Sequence, residues 1–197
     1  MHTIETREHN YNIINNSHKK DIFLDIFNVI GEYGNLILFI FTIFLLKEKE
    51  NLLFYYVIGA FLNYILNTIL KGIIQQPRPN DDIKKFEIAI GHGKSIFFKN
   101  GIPADIFGMP SGHAQDCAFS LIYMYLVTGG KQNIFYLYAF ITCLTVLERI
   151  YFNYHTPLQC VIGLLVGGGF ANFVFYIVTD KMKKILRMRP DDNMKIL

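Results

Sequence analysis

The sequence predicts an all-α integral membrane bundle of about five transmembrane helices. Three observations carry this. Apolar residues make up 52% of the 197-residue chain, with 18 Phe and 12 Tyr. They fall in long unbroken runs, each close to the ~20 residues that cross a bilayer as a helix. The runs are separated by breaks rich in Gly, Pro, Asn and charge. A soluble domain of this size rarely concentrates its apolar residues in this way, and 197 residues suffice for one domain.

The first 20 residues are polar, with Asn10, Asn12, Asn15 and Asn16 in a short biased segment. No signal-peptide pattern follows, so the chain is expected to enter the membrane by its own helices. The membrane domain is expected over 21–180. Residues 22–46 form its first span, with the polar end first (Asp25, Asn28, Glu32), and 52–70 the second, ending at Lys71. The connection 76–109 is long for a compact domain and carries Pro77, Pro79 and Pro103. It reads as a lid or access element for substrate, with a sixth span if 85–98 dips into the bilayer. Residues 111–128, 133–150 and 157–178 supply the remaining spans. The third and fourth reach full length only with their polar ends, 111–113 and 148–149, near the interface. Gly163 and Gly167 make a small-xxx-small pair suited to close helix packing within the bundle. Residues 181–197 form a basic tail.

Composition excludes several functions. A net charge of +3, without a basic and aromatic face, gives no support for nucleic-acid binding. Cys117, Cys143 and Cys160 are odd in number, match no zinc spacing and read as small buried apolar residues. No His/Asp/Glu cluster suggests a metal, and no cofactor is expected. Asp81, Asp82 and Asp105 read as solvated loop acids, Asp116 as a polar helix residue, and His2, His9, His18 and His92 as solvated.

The alternation of sides then brings a set of polar residues together. The second helix ends where the third begins, and the fourth ends where the fifth begins. Lys71, Arg78, Ser111, His113, Arg149 and His155 therefore gather at one membrane face. Lys and Arg are costly inside a bilayer, and one alone can simply snorkel to the headgroups. Three of them beside two histidines point to a bound anion. Arginines can grip phosphate oxygens through two N–H groups. Ser111 and Gly112 sit at a helix N-terminus, where free backbone N–H groups favour an anion, and Pro110 suits a helix start. A neutral imidazole can attack phosphorus, and a second can protonate the leaving oxygen and then activate water.

The local texts sharpen this. Lys71 is followed by six residues and Arg78-Pro79. Pro110-Ser111-Gly112-His113 opens the third helix, and Arg149 is followed by five residues and His155. In order, spacing and placement these segments, which lie within about 52–178, resemble the signature of the type 2 phosphatidic acid phosphatase superfamily. That resemblance implies that His155 is the nucleophile, that His113 is the acid and base, and that Lys71, Arg78, Ser111, Gly112 and Arg149 bind substrate phosphate. Two positions depart: Glu148 replaces a small residue, and Gln159 replaces the Asp that orients the nucleophile. Gln159 lies four residues after His155, so its amide oxygen can accept the imidazole N–H and hold the tautomer. If that is its whole task, Asp serves there as well. Gln-Pro-Arg-Pro (76–79), Gly-Met-Pro-Ser-Gly-His-Ala-Gln (108–115) and Tyr-His-Thr-Pro-Leu-Gln (154–159) are most similar to the dolichyl diphosphatase branch. That branch typically shows a second Ser where this chain has Gly112.

The function expected is metal-independent hydrolysis of a lipid-linked phosphate, with a polyprenyl (dolichyl) diphosphate first. A monoesterase acting on phosphatidate, a sphingoid phosphate or a sugar phosphate is the second reading. A catalytically silent lipid-phosphate binder or structural membrane protein is the third, and Gln159 is its main support. Basic residues near helix ends prefer the cytoplasm. Lys47, Lys49, Lys131 and the tail from Lys181 to Lys195 therefore place the tail in the cytoplasm. The active site then lies on the lumenal or extracytoplasmic side of the endoplasmic reticulum or another endomembrane. The triplet Asn15-Asn16-Ser17, a glycosylation acceptor, falls on that same side.

Overall fold

The computed structural model describes residues 2–79 and 107–185, with side chains described for 22, 24–79 and 107–179. Five helices are found there: α1 His2–Leu46, α2 Glu50–Ile74, α3 Gly112–Val127, α4 Gln132–Tyr151 and α5 Pro157–Ile185. No β-strand occurs among the described residues; a single bridge pairs Pro77 with Phe107. Most of the expected lid, including 85–98, Asp81, Asp82, His92 and Asp105, lies outside the described residues. So does the tail from 186 onward.

Two boundaries differ from the sequence expectation. α1 begins at His2, so the polar segment 1–20 is continuous with the first span. It contains no Pro or Gly to stop a helix, and the first glycine is Gly31. α2 continues one turn past Lys71, ending at Gln75 in the left-handed conformation (φ 51°, ψ 37°), whose N–H bonds the Lys71 carbonyl.

Four helices are long and apolar enough to cross a membrane: Leu24–Leu46, Glu50–Ile74, Gln132–Tyr151 and Pro157–Thr179. Their outer faces carry large apolar side chains such as Phe44, Phe54, Phe61, Phe140, Leu165 and Phe173, each more than half exposed. Apolar surface on this scale is not left to water, and the chain is an integral membrane protein. The expected third span is the one that differs. α3 has 16 residues, about 24 Å at 1.5 Å per residue, against a hydrocarbon core of ~30 Å. It packs against all four other helices, and Ala114, Gln115, Cys117, Ala118, Phe119, Ser120, Tyr123, Met124 and Val127 are buried. A helix sheathed by its neighbours need be neither long nor apolar all round.

Close packing of α3 on α5 depends on the two glycines. A Cβ on Gly163 would lie 2.6 Å from the Ser111 carbonyl oxygen, and one on Gly167 would overlap the Gln115 carbonyl. The small-xxx-small pair thus serves a contact inside the bundle. α1 approaches α4 in the same way, Gly31 against the Glu148 side chain and Gly34 against Thr145. Away from the site, aromatic packing fills the core: Phe119 stacks on Tyr56 and on Tyr123, and Tyr56 and Tyr123 meet tilted, with ring centroids 5.3–6.0 Å apart. Their hydroxyls are paired, as burial in apolar surroundings requires: Tyr56 with Ser120 and Tyr123 with the Leu52 carbonyl, both at 2.8 Å. Cys117 and Cys160 are buried as expected, whereas Cys143 is exposed on the outer side of α4.

Candidate active site

One end of the bundle collects the C-termini of α2 and α4 and the N-termini of α3 and α5. Lys71 lies on the last turn of α2 and is 3% exposed; Arg78 follows, partly buried. Ser111 is the N-cap of α3 (φ −64°, ψ 119°). Its own N–H is taken by the Gln159 carbonyl at 3.0 Å. The next N–H groups, at the helix start, lie where a helix has no internal acceptor for them. The Ser111 hydroxyl is buried with no hydrogen-bond partner among the described residues. Asn67 of α2 steadies this turn, donating to the Pro110 carbonyl (3.3 Å) and to Gln115 (2.8 Å).

After α4 the chain folds back on the Arg149 carbonyl, which accepts the N–H of Tyr154 (3.0 Å) and of His155 (3.1 Å). Asn153, at φ 57°, makes the reversal. His155 therefore precedes α5 rather than lying on it. α5 opens with Thr156-Pro157-Leu158-Gln159, a reciprocal capping box. The Gln159 N–H reaches Thr156 Oγ1 (3.3 Å), and the Thr156 N–H reaches Gln159 Oε1 (3.1 Å). Pro at the first helical position completes it. The Thr-x-x-Gln text is legible in the sequence and would have located this helix start.

Gln159 is wholly buried, and both halves of its amide are used. Nε2 donates to Gln76 Oε1 and to the Pro77 carbonyl, both at 2.9 Å. Oε1 accepts from Thr156 and lies 3.2 Å from His155 Nδ1. A Pro carbonyl can only accept and a backbone N–H can only donate, so the amide cannot be flipped. His155 Nδ1 must then carry the proton, and the free lone pair is on Nε2. Burial, followed by the charges of Arg78 and Lys71, holds the His155 pKa down to about 3, against the opposing bond to Gln159. Both effects favour the neutral imidazole. The same amide holds Gln76 and Pro77, at one end of the 80–106 connection, and the Gly108 N–H at the other end bonds the Gln76 carbonyl at 2.7 Å. A Cβ on Gly108 would lie 2.6 Å from Gln159 Nε2. These roles of Gln76, Pro77 and Gly108 were not read from sequence.

His113, on the first turn of α3, faces the backbone of Glu32 from α1 and feels the charges of Arg149, Lys71 and Arg78. Its field also acts on His155. Asp116, one turn further along α3, accepts from Asn63 (2.7 Å) and Asn35 (3.5 Å). Arg149 stacks on Tyr154, 4.5 Å from the ring centroid. It pairs along its Nε–Nη2 edge with Glu148, Nη2 donating to Oε1 at 3.0 Å and Nε to Oε2. The structure thus brings together Lys71, Arg78, Ser111, Gly112, His113, Arg149, His155 and Gln159. Among the described residues no group of three or more His, Cys, Asp or Glu side chains could hold a metal ion. A cavity of about 360 Å³ opens between α1, α2 and α3, walled by Phe39, Phe61, Tyr64 and Phe119 with Asp116 and Ser120 at its side.

The model of the PAP2 superfamily matches residues 52–183. The chain belongs to the PAP2 superfamily. The resemblance read from the three motifs is thereby borne out, and the match takes in α2 to α5. A curated relative, the dolichyldiphosphatase of Saccharomyces cerevisiae (strain ATCC 204508 / S288c), is 30% identical over 132 residues. That alignment covers 61% of this chain and 49% of the yeast protein, so the chain spans about half the length of this relative. No solved structure matches. In this PAP2 chain α1 lies outside the matched residues, although its Gly31, Glu32 and Asn35 abut Glu148, His113 and Asp116.

Proposed function

We propose that this protein is a metal-independent phosphatase of lipid-linked phosphates, with a polyprenyl diphosphate such as dolichyl diphosphate as first substrate. The reaction runs through a phosphohistidine on His155. The observation that carries this reading is the doubly anchored Gln159 amide, which leaves a neutral His155 with its lone pair on Nε2 inside a ring of basic side chains. Nε2 attacks the terminal phosphorus, the bond to the leaving oxygen breaks, and His113, as the imidazolium formed beside the bound phosphate, donates its proton to that oxygen. His113 then takes a proton from water, whose oxygen attacks the phosphohistidine. Inorganic phosphate leaves and His155 is restored. Lys71, Arg78, Arg149 and the α3 N-terminus stabilise the charge on the transferring group, which is most of what phosphoryl transfer asks of a protein. The aromatic cavity, one helical turn from His113, suits the apolar tail of such a substrate. The test is phosphate release by purified protein in chelator, against long- and short-tailed diphosphates and monoesters. Long-tailed diphosphates should be cleaved fastest; activity that vanishes in chelator and returns with magnesium would overturn the mechanism.

The site is proposed to face the lumen or cell exterior, since Lys47, Lys49 and Lys131 lie at the opposite ends of the helices and favour the cytoplasm. This suits release of a carrier lipid after its sugar has been transferred. In a cysteine-free background, a single cysteine at Ser95 should react with an impermeant thiol reagent only when sealed cytoplasm-side-out vesicles are opened. Labelling in the intact vesicles would invert the orientation.

A further inference from the structure

Glu148 is fully buried and occupies a position where the PAP2 signature has a small residue. Its carboxylate holds Arg149 along the Nε–Nη2 edge, and among the described residues no second carboxylate pairs with Arg149. The glutamate fits only because residue 31 of α1 is glycine: any Cβ there would overlap the Glu148 Cβ and Cγ. A buried arginine without a counter-ion is costly, and Glu148 meets that need. A phosphate arriving at Arg149 meets a guanidinium already half-neutralised, with a carboxylate beside it.

We propose that Glu148, seated against Gly31, is a resident counter-ion for Arg149 that limits the affinity of the site for phosphate. It is a positioning residue: it acts through Arg149, favouring departure of inorganic phosphate at the end of the cycle. This rests on the reading of Arg149 as a phosphate ligand. Glu148→Gln keeps the size of the side chain and one acceptor for Arg149 while removing the charge. A neighbouring opposite charge is worth about one to three pK units, so loss of this one should lower the inhibition constant for inorganic phosphate roughly tenfold. Turnover should fall as product is retained.

The experiment uses the full chain in detergent, with inorganic phosphate as the probe, read both as a competitive inhibitor and as a ligand that raises the melting temperature. The variant should gain more thermal stability from phosphate than wild type does. In an Arg149→Ala background Glu148→Gln should leave phosphate affinity unchanged, which a mere packing role would not predict. Gly31→Ala is the second variant: its Cβ would overlap the Glu148 Cβ and Cγ, so α1 must draw back from α4 and the carboxylate loses its packed seat beside Arg149, and this variant too should bind phosphate more tightly. If wild type binds phosphate and both variants bind it no more tightly, the counter-ion role is overturned while the phosphate site stands. A wild type that phosphate neither inhibits nor stabilises overturns both readings.

Discussion

His155→Ala is expected to lower turnover by on the order of 10⁴-fold or more, the scale seen when a covalent nucleophile is removed. The Gln159 amide commits Nδ1 as a donor, so Nε2 is the one basic nitrogen the residue can offer, and alanine offers none. His113→Ala should cost about 10²–10⁴-fold, the usual range for a general acid and base. The two variants separate under a labelled substrate. Wild type should trap label that is stable in base and labile in acid, as a phosphorus–nitrogen bond is. His155→Ala should trap none. His113→Ala should trap label and lose it slowly, because water is then poorly activated in the second step. Equal labelling of wild type and His155→Ala would remove His155 as the nucleophile.

Gln159→Leu should cost activity about 10²-fold or more, because holding the wrong imidazole tautomer alone can cost ~10⁴-fold in a comparable histidine site. Leucine fills a similar volume but strands four polar groups: the His155 and Thr156 N–H groups, the Gln76 amide and the Pro77 carbonyl. Each buried group left unpaired costs ~1–3 kcal/mol, so the melting temperature should fall as well. Gln159→Asp is the more informative change. From sequence, Asp is expected to serve as well as Gln if orientation of the imidazole is the only task. The geometry reverses that expectation. Asp is one methylene shorter and has no donor for the Pro77 carbonyl, so it should lose the tie to residues 76–77 and with it much of the rate. Gln159→Glu keeps the length but sets a carboxylate oxygen against that carbonyl, and should also lose activity. Wild-type rates in either acidic variant would show that the donor half of the amide is dispensable.

Much was legible in the sequence because the physics behind it is local. Residues ~20 long and apolar declare a span wherever they occur, so α1, α2, α4 and α5 could be placed from the chain alone. Once the spans alternate, the convergence of Lys71, Arg78, Ser111, His113, Arg149 and His155 follows from connectivity. The spacing within each motif then carries the family.

The tertiary structure decided what depends on neighbours far apart in the chain. α3 reads as a short, polar span until its four surrounding helices are seen to shield it. Gln159 reads as a substitute for Asp until Gln76 and Pro77, more than 80 residues away, are seen to need its Nε2. Glu148 reads as a departure from pattern until Gly31 of another helix is seen to make room for it. A hydrogen bond or a van der Waals contact is satisfied by whichever atom the fold delivers, and spacing along the chain does not record which atom that will be.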